Sequence, residues 1–252
     1  MTRSTAGFSQ TAGEYAATMA PSLTPVAEEV VRRAALRPNE TVIDIGTGTG
    51  TAARLALGEG RRVTGLDAAA GMLEIARREA PDVDFLEADF TQIPLADGSV
   101  QVVLAVHSLL FADDRVAALR EWLRVTPSGG RLSLSVPGPG DVVPAVVFGD
   151  VYDRYDIEWR ANDYPVPSEV ERWAREAGWT DVATDADPTT AIVLADEAAF
   201  RAWLRVGRTT SDWTSGRLDA YARDLMALSP RGADDSFRIP FGSIYLTARR
   251  SG

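Results

Sequence analysis

Three aspartates close three successive runs of strand-forming residues, and each is followed at once by a turn or a helix signal. Val42-Ile43-Asp44-Ile45 passes without a spacer into Gly46-Thr47-Gly48-Thr49-Gly50, after which Ala52, Ala53, Leu55 and Ala56 begin a helix. Such a turn lets backbone approach a ligand closely. A pyrophosphate prefers bare amide donors at a helix N-terminus, so a carboxylate at the end of the strand suits a cationic or amine-bearing ligand better. Residues 62–66 read as a second strand ending in Asp67, where a carboxylate would accept both hydroxyls of a ribose through charge-assisted hydrogen bonds of about 1.5–3 kcal/mol each. Residues 83–86 read as a third, followed by Asp89-Phe90, an acid for an exocyclic amine beside an aromatic face. The expected chemistry is recognition of an adenosine that carries positive charge.

In this order the motifs resemble a class I S-adenosylmethionine-dependent methyltransferase, similar to the small-molecule enzymes of ubiquinone and menaquinone biosynthesis. The matching residues are the loop at 42–50, Leu66-Asp67 with Met72-Leu73, Glu87-Ala88-Asp89, Ile93-Pro94-Leu95 with Asp97-Gly98-Ser99, and Ser128-Gly129-Gly130-Arg131-Leu132. They cover roughly residues 38–136, about half the chain. The resemblance implies that S-adenosylmethionine is the cofactor. Gly46, Gly48 and Gly50, with Asp44 and Thr47, would then hold its methionine part, Asp67 its ribose, and Asp89 with Phe90 its adenine, with Met72 and His107 also beside it. It also implies a doubly wound, mostly parallel seven-stranded α/β sheet, the Rossmann-like methyltransferase fold, under a helical cap. Where the family often carries an aromatic–Asp pair, this chain has Val100-Gln101.

Other classes share part of the pattern. Gly48-x-Gly50-x-x-Ala53 satisfies the looser fingerprint of a nicotinamide-dinucleotide oxidoreductase, yet that reading leaves Asp44, Asp89 and Gly129-Gly130 unexplained. A non-catalytic S-adenosylmethionine-binding protein would show the same residues. His107, the single histidine, follows the fourth strand and is the candidate general base for an oxygen or nitrogen acceptor, while the methylated atom, oxygen, nitrogen or carbon, is left open. Candidate substrate contacts are Tyr15 near the N-terminus and Tyr152, Tyr155 and Trp159 in a segment that interleaves aromatics with acids.

Composition narrows the classes further. At 252 residues the chain is long enough for one α/β domain: a cofactor-binding core at 38–136, with 138–165 and 196–235 as the substrate cap. All 26 basic residues are arginines, which excludes a Schiff base on a lysine, and a net charge of −10 opposes polyphosphate, so nucleic acid is not an expected partner. The adjacent pairs Arg32-Arg33, Arg61-Arg62 and Arg77-Arg78 read as solvated faces. With no cysteine and one histidine, no catalytic metal is expected. Neither a membrane-spanning run nor a signal-peptide core is seen, so the expected location is cytoplasmic, without membrane insertion. The expected partner is a small-molecule acceptor, and the reading leaves a homodimer open.

Periodicity places the remaining elements. A helix is expected from about residue 24 to 36, strands over 100–106 and 131–136, and a helix striped by Val116, Leu119 and Leu123. Ser168-Glu169-Val170-Glu171 has capping-box spacing, with Gly178 closing that helix. Later come a strand from Trp179, helices carrying Phe200, Trp203 and Leu204 and then Leu218, Tyr221 and Leu225, and a final strand over 241–249, which the methyltransferase resemblance implies is antiparallel.

Overall fold

A computed structural model describes residues 3–138, 144–157, 164–206 and 213–252. Two helices come first, α1 (Arg3–Gln10) and α2 (Ala12–Ala34). The alternating half of the chain follows: β1 (Thr41–Ile45), α3 (Thr51–Ala56), β2 (Arg62–Asp67), α4 (Ala70–Glu79), β3 (Asp84–Glu87), β4 (Val102–Val106), α5 (Arg115–Val125) and β5 (Arg131–Pro137). Beyond it lie α6 (Pro144–Arg154), α7 (Pro167–Ala177), β6 (Thr180–Asp187), β7 (Ala191–Leu194), α8 (Glu197–Val206), α9 (Ser215–Leu228), β8 (Phe237–Pro240) and β9 (Ser243–Arg249).

Among the described residues, seven strands form one sheet in the order β3-β2-β1-β4-β5-β9-β6, parallel except for β9, which runs antiparallel to both neighbours. The expected α/β architecture is therefore the observed one. Because strand order reverses between β1 and β4, a crevice opens at their carboxyl ends, the place where open α/β sheets bind ligands. Each face buries alternate strand residues. Ile43, Val103 and Leu132 pack under α5 and α7, while Val42, Val63 and Leu104 pack under α2 and α3. Gln101 takes a structural place at the sheet's base, its Oε1 accepting the Thr41 amide at 2.9 Å.

Four local expectations change. The helix expected near residue 24 begins at Ala12 and runs through Pro21 and Pro25, because Leu23, Val26, Ala27, Val30 and Ala34 bury one face of it. That burial outweighs a proline cost of about 3 kcal/mol each. Glu169, not Glu171, closes the box on α7, accepting the Val166 amide at 3.1 Å, so Ser168 lies inside the first turn. Arg61 is no solvated charge: it donates to Ala56 O and Leu57 O and caps the C-terminus of α3. Finally, β7 and β8 pair antiparallel in a small second sheet that the sequence reading did not contain.

That small sheet shares a core of its own with α6, α8 and α9, built on Phe148, Phe200, Tyr221, Leu225, Phe237 and Ile239. A separate apolar patch joins the N-terminal helices to α4 through Phe8, Ala12, Tyr15 and Met72. The approach of α1 to α4 is so close that a Cβ on Gly71 would overlap the carbonyl oxygen of Ser9, whose hydroxyl accepts the Gly71 amide at 3.3 Å. Gly71→Ala is therefore expected to push α1 outward. Overpacking of this kind costs about 1–3 kcal/mol, so amide hydrogen exchange within 5–10 should accelerate by about tenfold or more while β4 and β5 keep their protection. Unchanged exchange in α1 would show that the helices do not meet this way.

Candidate functional site

At the crevice the chain builds the turn after β1 first. Gly46 and Thr47 both donate to Leu66 O, at 2.8 and 2.9 Å, which ties the turn to β2. Gly46 has φ +68°, and a Cβ there would overlap that of Ser108, whose hydroxyl in turn donates to Ile45 O at 2.6 Å. Only glycine permits that approach of the β1 and β4 ends. Gly48 is loosely surrounded: among the described residues Tyr15 is the sole neighbour a Cβ would meet, at 3.8 Å.

Asp67 spans the turn and the next helix. Its Oδ2 accepts the Gly48 amide at 2.8 Å and its Oδ1 the Ala69 amide at 2.9 Å, and burial raises its pKa above the usual carboxylate range despite those bonds. Asp89, after β3, lies on the same rim and folds back on Thr91 through Oδ1, accepting the amide at 2.8 Å and the hydroxyl at 2.6 Å. Phe90 stands beside it, edge-on to Trp122 at 6.2 Å. His107 follows β4 in the left-handed region, φ +54°, which histidine adopts more readily than most residues. Its Nε2 lies 3.1 Å from Ser243 Oγ, and burial pushes its pKa down to about 3, so the ring is neutral at pH 7.

These groups line one cavity of about 940 Å³, near the upper end of the roughly 300–1,000 Å³ typical of small-molecule sites. Of the residues singled out from sequence, Tyr15, Gly46, Gly48, Asp67, Met72, Asp89, Phe90, His107 and Tyr152 stand in its wall. Asp44, Thr47 and Gly50 do not, and their expected place on the rim is corrected. Asp44 lies beneath the turn, its Oδ2 accepting the Thr47 hydroxyl at 2.6 Å and the Ala53 amide at 3.0 Å. It thereby caps the first turn of α3 from below, with burial raising its pKa to about 6. Gly50 is closed in by Ala76 and Phe85. Tyr155 is corrected as well: it points away, stacked on Trp213 at 5.8 Å and bonded to Asp224. Trp159 lies outside the described residues.

Comparison with known proteins decides the family. A family model described as a methyltransferase domain matches residues 43–134. The malonyl-[acyl-carrier protein] O-methyltransferase of Serratia marcescens is 33% identical over 157 residues, covering 62% of this chain and 60% of that protein. The demethylmenaquinone methyltransferase of Renibacterium salmoninarum is 31% identical over 163 residues, covering 58% of this chain and 69% of that protein. The chain belongs to the class I S-adenosylmethionine-dependent methyltransferases. Its cofactor is S-adenosylmethionine. The fold of this methyltransferase is also that of phosphoethanolamine N-methyltransferase 2 of Haemonchus contortus in complex with S-adenosyl-L-methionine, with TM-score 0.59, 17% identity, and coverage of 90% of this chain and 53% of that one.

Several wall residues of the methyltransferase escape a motif search. Phe8, Met19, Phe111, Trp203, Tyr221 and Phe241 all line the cavity. Phe8 lies seven residues before Tyr15, a helical repeat that was available as a signal. Phe111 packs edge-on against Phe8 at 5.3 Å and remains 53% exposed, an aromatic at the mouth. Among the described residues no helix is long and apolar enough to cross a membrane.

Proposed function

We propose that S-adenosylmethionine lies across the carboxyl ends of β1, β2 and β3, and that the acceptor reaches its methyl group from the side of β5. The observation that carries this reading is the meeting, in one cavity, of the Gly46–Gly48 backbone, Asp67, Asp89 and His107 from the ends of four strands that adjoin in the sheet. The wall fits the cofactor chemically. Gly48 leaves its face clear for the methionine part, Asp67 keeps lone pairs on both oxygens for the ribose hydroxyls, and Asp89 with Phe90 and Met72 offers an acid between apolar surfaces for adenine. Tyr15 and Phe8 then close over it from the N-terminal helices.

When bound, the sulfonium supplies an electrophilic methyl group, and transfer releases S-adenosylhomocysteine. The protein's own task is to exclude water and hold the acceptor atom in line, which can account for most of the acceleration. His107 serves that task better as a hydrogen-bonding group than as a base, since a pKa near 3 gives it little affinity for a proton at pH 7. Of the acceptors named for the relatives, demethylmenaquinone resembles what the apolar walls would admit more than malonyl-[acyl-carrier protein] does.

Asp67→Ala is the test. It should raise the dissociation constant of S-adenosylhomocysteine by about tenfold or more in calorimetry, with Asp67→Asn intermediate because one acceptor oxygen remains. Unchanged affinity in a folded Asp67→Ala protein would remove Asp67 from the site.

A further inference from the structure

The strand order divides the cavity. On the β1–β3 side stand the acids Asp67, Glu87 and Asp89, while Asp113 and Asp114, after β4 and just before α5, also line the cavity. Beyond β4 the wall changes character: Met19 and Leu23 come from α2, Tyr152 from α6, Trp203 from α8, Tyr221 from α9 and Phe241 from the turn between β8 and β9. Among the described residues no arginine lines either half, and the sequence contains no lysine. Burial raises the Tyr152 and Tyr221 phenols well above their ordinary value, so both remain uncharged.

At the boundary stands His107, only 7% exposed. Its Nε2 is engaged by Ser243, while among the described residues its buried Nδ1 has no hydrogen-bond partner, although the ring forms part of the cavity wall. Buried polar atoms of native proteins are almost always paired, so an orphaned nitrogen on a ring that lines a cavity is a candidate contact for a ligand group. The Ser243 hydroxyl can donate or accept, and it therefore permits either tautomer, leaving Nδ1 free to accept from a hydroxyl or N–H, or to donate to a carbonyl.

We propose that the half of the cavity beyond β4 selects an uncharged, flat, largely apolar acceptor carrying a single hydroxyl or similar polar group, and that His107 positions that group through Nδ1. This rests on the reading that the β1–β3 half holds the cofactor. A carboxylate or phosphate placed among these walls would lose its hydration and meet no described cation, and an ammonium would have its acids across the cavity on the cofactor side, whereas aromatic faces accept a planar ring at no such cost. His107 is thus a positioning and specificity-determining residue. Its effect is on which acceptors bind.

The test uses protein saturated with S-adenosylhomocysteine and four probes of one shape: 2-naphthol, naphthalene, 2-naphthoate and 2-naphthylmethylammonium. Affinity is followed by calorimetry at pH 7. The expected result is that 2-naphthol binds at least tenfold more tightly than either charged probe and about tenfold more tightly than naphthalene. In His107→Phe, and in His107→Asn, whose side chain tolerates the positive φ, the advantage of naphthol over naphthalene should fall below threefold. A purely structural role for His107 would weaken both probes together and leave their ratio intact, which would overturn its assignment. Equal or tighter binding of the naphthoate or the ammonium, or no binding of naphthol at millimolar concentration, would overturn the acceptor class. If S-adenosylhomocysteine itself failed to bind, the cofactor reading would fall instead, and the initial titration separates the two outcomes.

Discussion

Arg131→Met should cost about 3–5 kcal/mol of folding stability and lower the melting temperature by about 10 °C or more. The reason lies where β5 begins. Arg131 is buried there and donates to Ala34 O at 3.0 Å and Ala35 O at 3.2 Å, the last carbonyls of α2, and bidentately to Glu40 at 2.9 and 2.7 Å. Helix ends leave such carbonyls without intrahelical partners, so one guanidinium both caps α2 and neutralises a buried carboxylate. Burial alone would raise the Glu40 pKa, but the Arg131 pair and the Arg37 amide outweigh it and hold the carboxyl below its ordinary range. Removing the arginine strands the acid and both carbonyls. Adding Glu40→Gln to Arg131→Met should recover part of the loss, because the remaining side chain is then uncharged. Arg172→Ala serves as the contrast: its pair with Glu176 is half exposed on each side and should be worth less than about 1 kcal/mol. Urea titration measures all three, and a loss below about 1 kcal/mol for Arg131→Met would contradict the described geometry.

Strand ends and helix stripes were legible because a period of two or of 3.6 leaves a local mark, and the glycine turn announced the carboxyl edge. Direction was not legible. Asp44, Asp67 and Asp89 look equivalent in sequence, yet the turn after β1 brings the N-terminus of α3 back over Asp44, whose Oδ2 then accepts the Ala53 amide beneath the turn. Nothing in the spacing distinguishes the two fates. Tyr152 and Tyr155 separate for a similar reason. Tyr152 lies one turn after Phe148 on the buried face of α6, whereas Tyr155 follows the helix end, beside Asp156 at φ +55°, and turns toward Trp213. The β7–β8 pair joins residues about fifty apart through four-residue strands, too short for a pattern to register. Prolines at 21 and 25 hid the first half of α2, whose persistence depends on tertiary burial that no local rule contains. His107 was found by being the only imidazole, while its burial and orphaned nitrogen belong entirely to the assembled cavity.

Between pH 7 and pH 5 the stability of the native chain should change little from Asp44 and His107 taken together, and single substitutions should expose two opposing contributions. His107 has a folded pKa of about 3 against an ordinary value of about 6.5. The unfolded chain therefore binds a proton below pH 6.5 that the folded chain refuses, and stability falls with pH, by about 2 kcal/mol from pH 7 to 5. Asp44 does the reverse. Its folded pKa is about 6 against about 3.9 in the unfolded chain, so the folded form takes the proton first and gains about 1 kcal/mol over the same interval. Asp44→Asn keeps an oxygen for the Thr47 hydroxyl and the Ala53 amide but abolishes the gain, so its stability should drop more steeply than that of the native protein on acidification. His107→Asn abolishes the loss, and its stability should instead rise. The two variants should thus diverge by about 3 kcal/mol in denaturant titrations at pH 7 and 5, and their comparison cancels the surface carboxylates they share. Parallel responses would mean that neither side chain is shielded from water as its surroundings require.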